Sequence, residues 1–132
     1  MRALILAALL AACGGQPHPA GPPPFDANGL AGQVDGVLAQ MLAATERDQE
    51  DCVKMLDELE RILAAARPTF DRVHAAEQDQ EHARQLTTAM HAYDGRAPDR
   101  TTDIATSLAV CFRTHRELQD RVQHVVDSMP TL

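Results

Sequence analysis

Apolar side chains recur every three or four positions from residue 34 to residue 62: Val34, Leu38, Met41, Cys52, Met55, Leu59 and Ile62. Thr45 and Asp48 fill the two intervening slots, so a 3.5-residue phase runs unbroken through the polar stretch of residues 45–51. Side chains at that spacing share one face of an α-helix. The pattern therefore predicts one long helix over residues 30–66, free of proline and, after Gly36, of glycine. Glu50 with Lys54 and Asp57 with Arg61 stand four apart, which adds about 0.2–0.5 kcal/mol per pair. Arg67-Pro68 predicts the end, because the residue before a proline is disfavoured in the helical region.

Thr69 then offers an N-cap for a second helix reaching Tyr93, closed by Asp94-Gly95. Its inner stripe reads Phe70, Val73, Ala76, Ala83, Leu86, Met90 and Tyr93, with a polar middle at residues 77–82. After the loop Ala97-Pro98-Asp99, Thr101 or Thr102 starts a third helix. Ile104, Leu108, Cys111, His115, Leu118, Val122, Val125 and Met129 form its stripe until Pro130. Aromatic residues are only 3 % of the chain, and the β-branched alternation of a sheet is missing, so the fold class is all-α.

The N-terminus follows another rule. Arg2 and the amino group precede ten apolar residues, 3–12. That is about half of what a helix needs to cross a ~30 Å hydrocarbon core, so the stretch suits a cleavable signal rather than a membrane span. It ends in Leu10-Ala11-Ala12-Cys13. This run resembles the lipobox of bacterial lipoproteins: an aliphatic residue, two small ones, then cysteine. The resemblance implies a signal peptide over residues 1–12, a diacylglycerol on the Cys13 sulfur and acylation of the new amine. Several acyl chains on one residue give stable anchoring where one is marginal. Gly14, where an aspartate would hold the protein in the inner membrane, resembles an outer-membrane address in the cell envelope.

Residues 13–28 carry most of the prolines and read as a tether. At ~3.1 Å per residue it holds the body up to ~40 Å from the bilayer. The helical domain then occupies residues 29–130. The net charge of −7 repels phosphate backbones, which excludes nucleic acid as a partner.

In an exported chain, two cysteines beyond the lipidated one are expected to pair. At 1.5 Å per residue, Cys52 falls ~21 Å below the Ala66 end of the first helix and Cys111 ~22 Å below the same level on the third. Cα atoms of a disulfide lie within about 7 Å, a separation that neighbouring rods allow. The expectation is an up-down-up antiparallel three-helix bundle with a Cys52–Cys111 bond at mid-height. The alternative is a four-helix bundle with a short first helix. In this arrangement Leu30, Val34, Val37 and Leu38 extend past the second helix, as a ridge covered locally or by an envelope protein or a second copy.

Catalytic and cofactor chemistry is thin. Cys52, Cys111, His82 and His115 have the donor types of a tetrahedral metal site, but exported thiols oxidise. Cys111-Phe112-Arg113-Thr114-His115 is similar to the haem-attachment motif of helical-bundle cytochromes, with Thr114 where a second cysteine belongs. Asp71 with His74 and Asp79 with His82 share one helix and use Asp, which fails the di-iron pattern. His18, His91 and His124 read as solvated. No serine triad order or phosphate loop is present. The expectation is a non-enzymatic structural or protein-interaction module without metal or cofactor; the rival is a metal- or haem-binding carrier.

Overall fold

The computed structural model describes Gly21, residues 23–94 and residues 99–130. All regular structure among them is helical, as expected, but it comprises five α-helices rather than three. They are α1 (Ala27–Arg47), α2 (Cys52–Glu77), α3 (Gln80–Asp94), α4 (Arg100–Thr114) and α5 (Gln119–Ser128), with one 3₁₀ turn at Arg116–Leu118.

The expected single helix over residues 30–66 is two. Asp26 opens α1 by accepting a hydrogen bond from the Gly29 amide at 2.8 Å. A Cβ on Gly29 would lie 2.2 Å from that carboxylate, so glycine is what lets the cap close. At the other end the Asp48 amide bonds the Ala44 carbonyl at 3.0 Å and the Asp51 amide bonds that of Asp48 at 3.0 Å. Asp51 then caps α2 through the Lys54 amide. The heptad phase survives because a four-residue turn keeps the repeat in step, so periodicity alone could not reveal the reversal.

Two further boundaries differ. Pro68 lies inside α2, where it forfeits one helical hydrogen bond. Leu63, Ala66, Val73 and Ala76 are buried on both sides of it, and that packing holds the helix together. Thr69 is thus no cap; the chain turns at Gln78 and Asp79, where Asp79 accepts from the His82 amide at 2.9 Å. The expected third helix is also split. α4 ends with His115 in an extended conformation, and Gln119 Nε2 donates to the Phe112 carbonyl left free there, at 3.0 Å.

Side-chain pairs fix the directions. Arg47 meets Glu58 at 3.8 Å, and Gln33 bonds Thr69 and Arg72, so α1 and α2 form an antiparallel hairpin. Phe25 stacks on His82 with ring centroids 4.3 Å apart, and the Tyr93 hydroxyl sits against Gly32, so α3 runs parallel to α1. Arg100 of α4 bonds Asp35, and α4 continues in the same direction beside the upper half of α1. Arg121 of α5 returns to Asp57 and Glu60 of α2. Four rods result: α1 and the end-to-end pair α3–α4 point one way, α2 and α5 the other. Neither the three-rod bundle nor the variant with a short first helix describes this.

The core runs the length of the hairpin. Val34, Met41, Met55, Leu56, Leu59, Ile104, Leu108 and Val125 are all fully enclosed. Cys52 and Cys111 lie with their Cα atoms 5.7 Å apart and their sulfurs at bonding distance. The pairing is as expected but not the height: it joins the first residue of α2 to the last turn of α4, beside the α1–α2 turn. Closing a loop of this sequence separation, 59, stabilises by roughly 4 kcal/mol in the chain-entropy model. Cys111→Ser, and reduction of the native chain, should each lower the free energy of unfolding by about that amount in urea melts followed by circular dichroism. Identical midpoints for oxidised and reduced protein would show that the bond does not form.

Candidate interaction surfaces

Cys13 and the signal and lipobox residues lie outside the described residues, as does most of the tether. Of the stretch read as a tether, Gly21 and residues 23–28 are described; Ala27 and Asn28 already belong to α1, and Phe25 is partly buried against the core.

Of the two outcomes expected for the apolar ridge, local cover is the one found. Leu30, Val34 and Leu38 are 4 %, 0 % and 7 % exposed, and Val37 packs partly buried against the same core. The height argument treated residues 30–66 as one rod. Folded back as a hairpin, α1 has α2, α3 and α4 along its length, and they cover the ridge.

The four donor types considered for a metal site, Cys52, Cys111, His82 and His115, do not converge. His82 sits beside Phe25 at the lower end of the bundle. His115 sits at the upper end, beyond the last residue of α4, with Nδ1 3.2 Å from Glu117 Oε1. It is therefore not in the core slot expected for it. The two cysteines are joined to each other. Among the described residues no three His, Cys, Asp or Glu side chains gather as an ion site. His91 and His124 are exposed, as expected.

Sequence reasoning missed the buried carboxylate at the α1–α2 turn. Asp48 is 4 % exposed. It faces Lys54 Nζ at 3.0 Å and receives Arg47 Nε and Nη2 at 3.1 and 3.0 Å. The Lys54 contact, then that of Arg47, holds its pKa below the ordinary aspartate value, against the opposing effect of desolvation. The signal was present as a polar residue in an apolar slot, with cations one position before it and six after.

Two surfaces stand open. An open groove of about 390 Å³ lies between α2 and α5, with Leu63 and Phe70 in its wall and Glu60, Arg67, Asp71 and His124 around it. Glu60 is held by Arg121, at 3.0 and 2.7 Å, so one acid of the groove is already paired.

The second surface is the outer face of α4. Only Ile104, Leu108 and Cys111 of this helix are buried. Thr102, Ala105, Thr106 and Ala109 are exposed, and so are Val110 and Phe112, at 43 % and 39 %. Residues 104–116 contain no acid, in a chain with 19. That run was legible in the sequence, but the inward stripe drew attention to the opposite side.

Family models, curated proteins and solved structures were compared with the chain, and none matches it.

The Asp48 pairing has a pH signature. A carboxylate whose folded pKa is lowered adds stability that is complete above the unfolded value, about 3.9. That stability is lost as pH falls through the lower folded value. Asp48→Asn should therefore reduce stability at neutral pH and flatten the acid limb of the stability curve below about pH 4. Urea midpoints measured across that range test it; parallel curves for both proteins would mean that the carboxylate is not paired.

Proposed function

We propose that this chain is an exported lipoprotein, anchored in the outer membrane through lipid on Cys13, whose helical body is a non-catalytic structural or protein-interaction module. The lipobox-like run Leu10-Ala11-Ala12-Cys13 supports the anchor. A cysteine pair at disulfide distance suits an oxidising compartment.

The observation that carries the interaction reading is the outer face of α4. In a small domain the large apolar side chains are needed inside, and solvated helix faces carry charge. Here Val110, beside Thr106, and Phe112, beside Ala109, stand in solvent on the two flanks of a face dominated by threonine and alanine. Threonine lowers helix propensity and alanine adds nothing to solubility, so neither explains this composition on a free surface. A protein partner that removes the face from water does.

Anchor and interaction are tested separately. Cys13→Ser should move the protein from the membrane fraction to the soluble envelope fraction and abolish incorporation of radiolabelled fatty acid; retained label would refute the lipid site. For the module, a photo-crosslinking amino acid replaces Phe112 or, as control, Thr87 on the exposed side of α3. Irradiated cells should give a discrete protein adduct from position 112 and none from 87. A folded, oxidised chain that gives no adduct at 112 ends the interaction reading.

A further inference from the structure

We infer that the Cys52–Cys111 bond is a redox latch on α4. With the bond closed the helix is docked; with both thiols reduced α4 alone lifts off and melts, while the rest of the bundle stays folded.

Little else holds α4 down. Most of its fifteen residues are exposed, and only Ile104, Leu108 and Cys111 are buried, against seven residues of α1 and nine of α2. One member of that short stripe is the bonded cysteine itself. Among the described residues its polar ties to other elements are two, one near each end: Arg100 to Asp35, and the Phe112 carbonyl to Gln119. Nor does the segment favour a helix unaided. Thr101, Thr102, Ile104, Thr106, Val110 and Thr114 are β-branched and lose side-chain freedom in a helix. A helix of this length is marginal in water even when built from good helix formers.

The neighbouring helices are fastened without it. α3 packs on α1 and α2, with Leu86, Ala89 and Met90 buried. α5 packs on α2, with Val122 and Val125 buried and Arg121 bonded to Asp57 and Glu60. α4 therefore spans two segments that are anchored on their own, and it can leave without pulling either away. With the bond closed, an undocked α4 stays tied at its upper end and gains little disorder; with the bond broken it gains all of it.

Closure is a thiol–disulfide exchange. The thiolate of one cysteine attacks a sulfur of an incoming disulfide oxidant, whose other sulfur leaves as a thiolate. The second cysteine then displaces the oxidant as a dithiol, so two electrons and two protons pass from the chain to it. A dithiol reductant runs the same steps backwards. In the closed form Cys52 and Cys111 are 7 % and 1 % exposed, so a dithiol reaches the sulfurs slowly and the closed latch is long-lived. Because α4 carries Val110 and Phe112, the bond also sets whether the outer face is presented to a partner. That consequence rests on the interaction reading; the opening itself does not.

The test is hydrogen exchange read by mass spectrometry on the mature chain in detergent. It compares the oxidised chain, the chain reduced with dithiothreitol, and the double variant Cys52→Ala with Cys111→Ala. In the oxidised chain the amides of residues 104–114 should be protected. In the other two they should exchange within about tenfold of the unfolded rate, while α1 and α2 stay protected by roughly a hundredfold or more. Residues 104–114 that remain protected without the bond overturn the proposal, because α4 then docks unaided. Loss of protection in all helices together overturns it as well, because the bond then serves the whole fold. Either result leaves the interaction reading standing, since crosslinking from position 112 is judged on the oxidised chain.

Discussion

The fold depends on one reversal, the turn at Asp48 between α1 and α2. A carboxylate removed from water is destabilising unless it is paired. Asp48 is paired from both sides of the turn, by Arg47 before it and Lys54 after it. Because the two cations come from different helices, the pairing favours the folded-back chain and works against the straight rod that the apolar phase alone allows. The hairpin so formed presents a two-helix surface, and α3, α4 and α5 all pack on it. Removing the turn would leave Leu30, Val34 and Leu38 uncovered and the shorter helices without a platform.

The turn also sets where the chain is stapled. Cys52 is the first residue of α2, directly after the cap Asp51, so the Cys52–Cys111 bond ties the last turn of α4 to the most constrained point of the hairpin. The lower end of α4 is held by the Arg100–Asp35 pair, which is partly buried at both side chains. Between these fastenings the helix buries only three residues. Holding a helix by its ends relaxes the demand for a wide apolar stripe, and the outer face of α4 is left free to evolve for another purpose. α5 contrasts with it. A ten-residue helix is marginal by itself, and it is held along α2 by Val122 and Val125 and by Arg121 between Asp57 and Glu60.

The sequence disclosed which side chains point inward far better than it disclosed the path of the chain. Val34, Leu38, Met41, Met55, Leu59 and Ile62 were read as one stripe, and all are buried. Val73, Leu86, Ile104, Leu108, Val122 and Val125 behave likewise. Periodicity reports the face of a helix and is blind to a turn that preserves phase, which is why the stripe through Asp48 read as one rod. Pro68 misled in the opposite sense: a proline costs a helix about 3 kcal/mol, and packing on both sides of it outweighs that. The break at His115 has no glycine or proline to announce it. Its cause is tertiary, since α4 has reached the top of the hairpin and Leu118, Val122 and Val125 find cover only if the chain turns back along α2. The cysteine pair was found through a register that was wrong in detail, because both sulfurs lay on inward slots whichever topology was assumed. The reach of the ridge past the second helix depended on the topology itself and does not survive the hairpin, while the local cover expected for it is found.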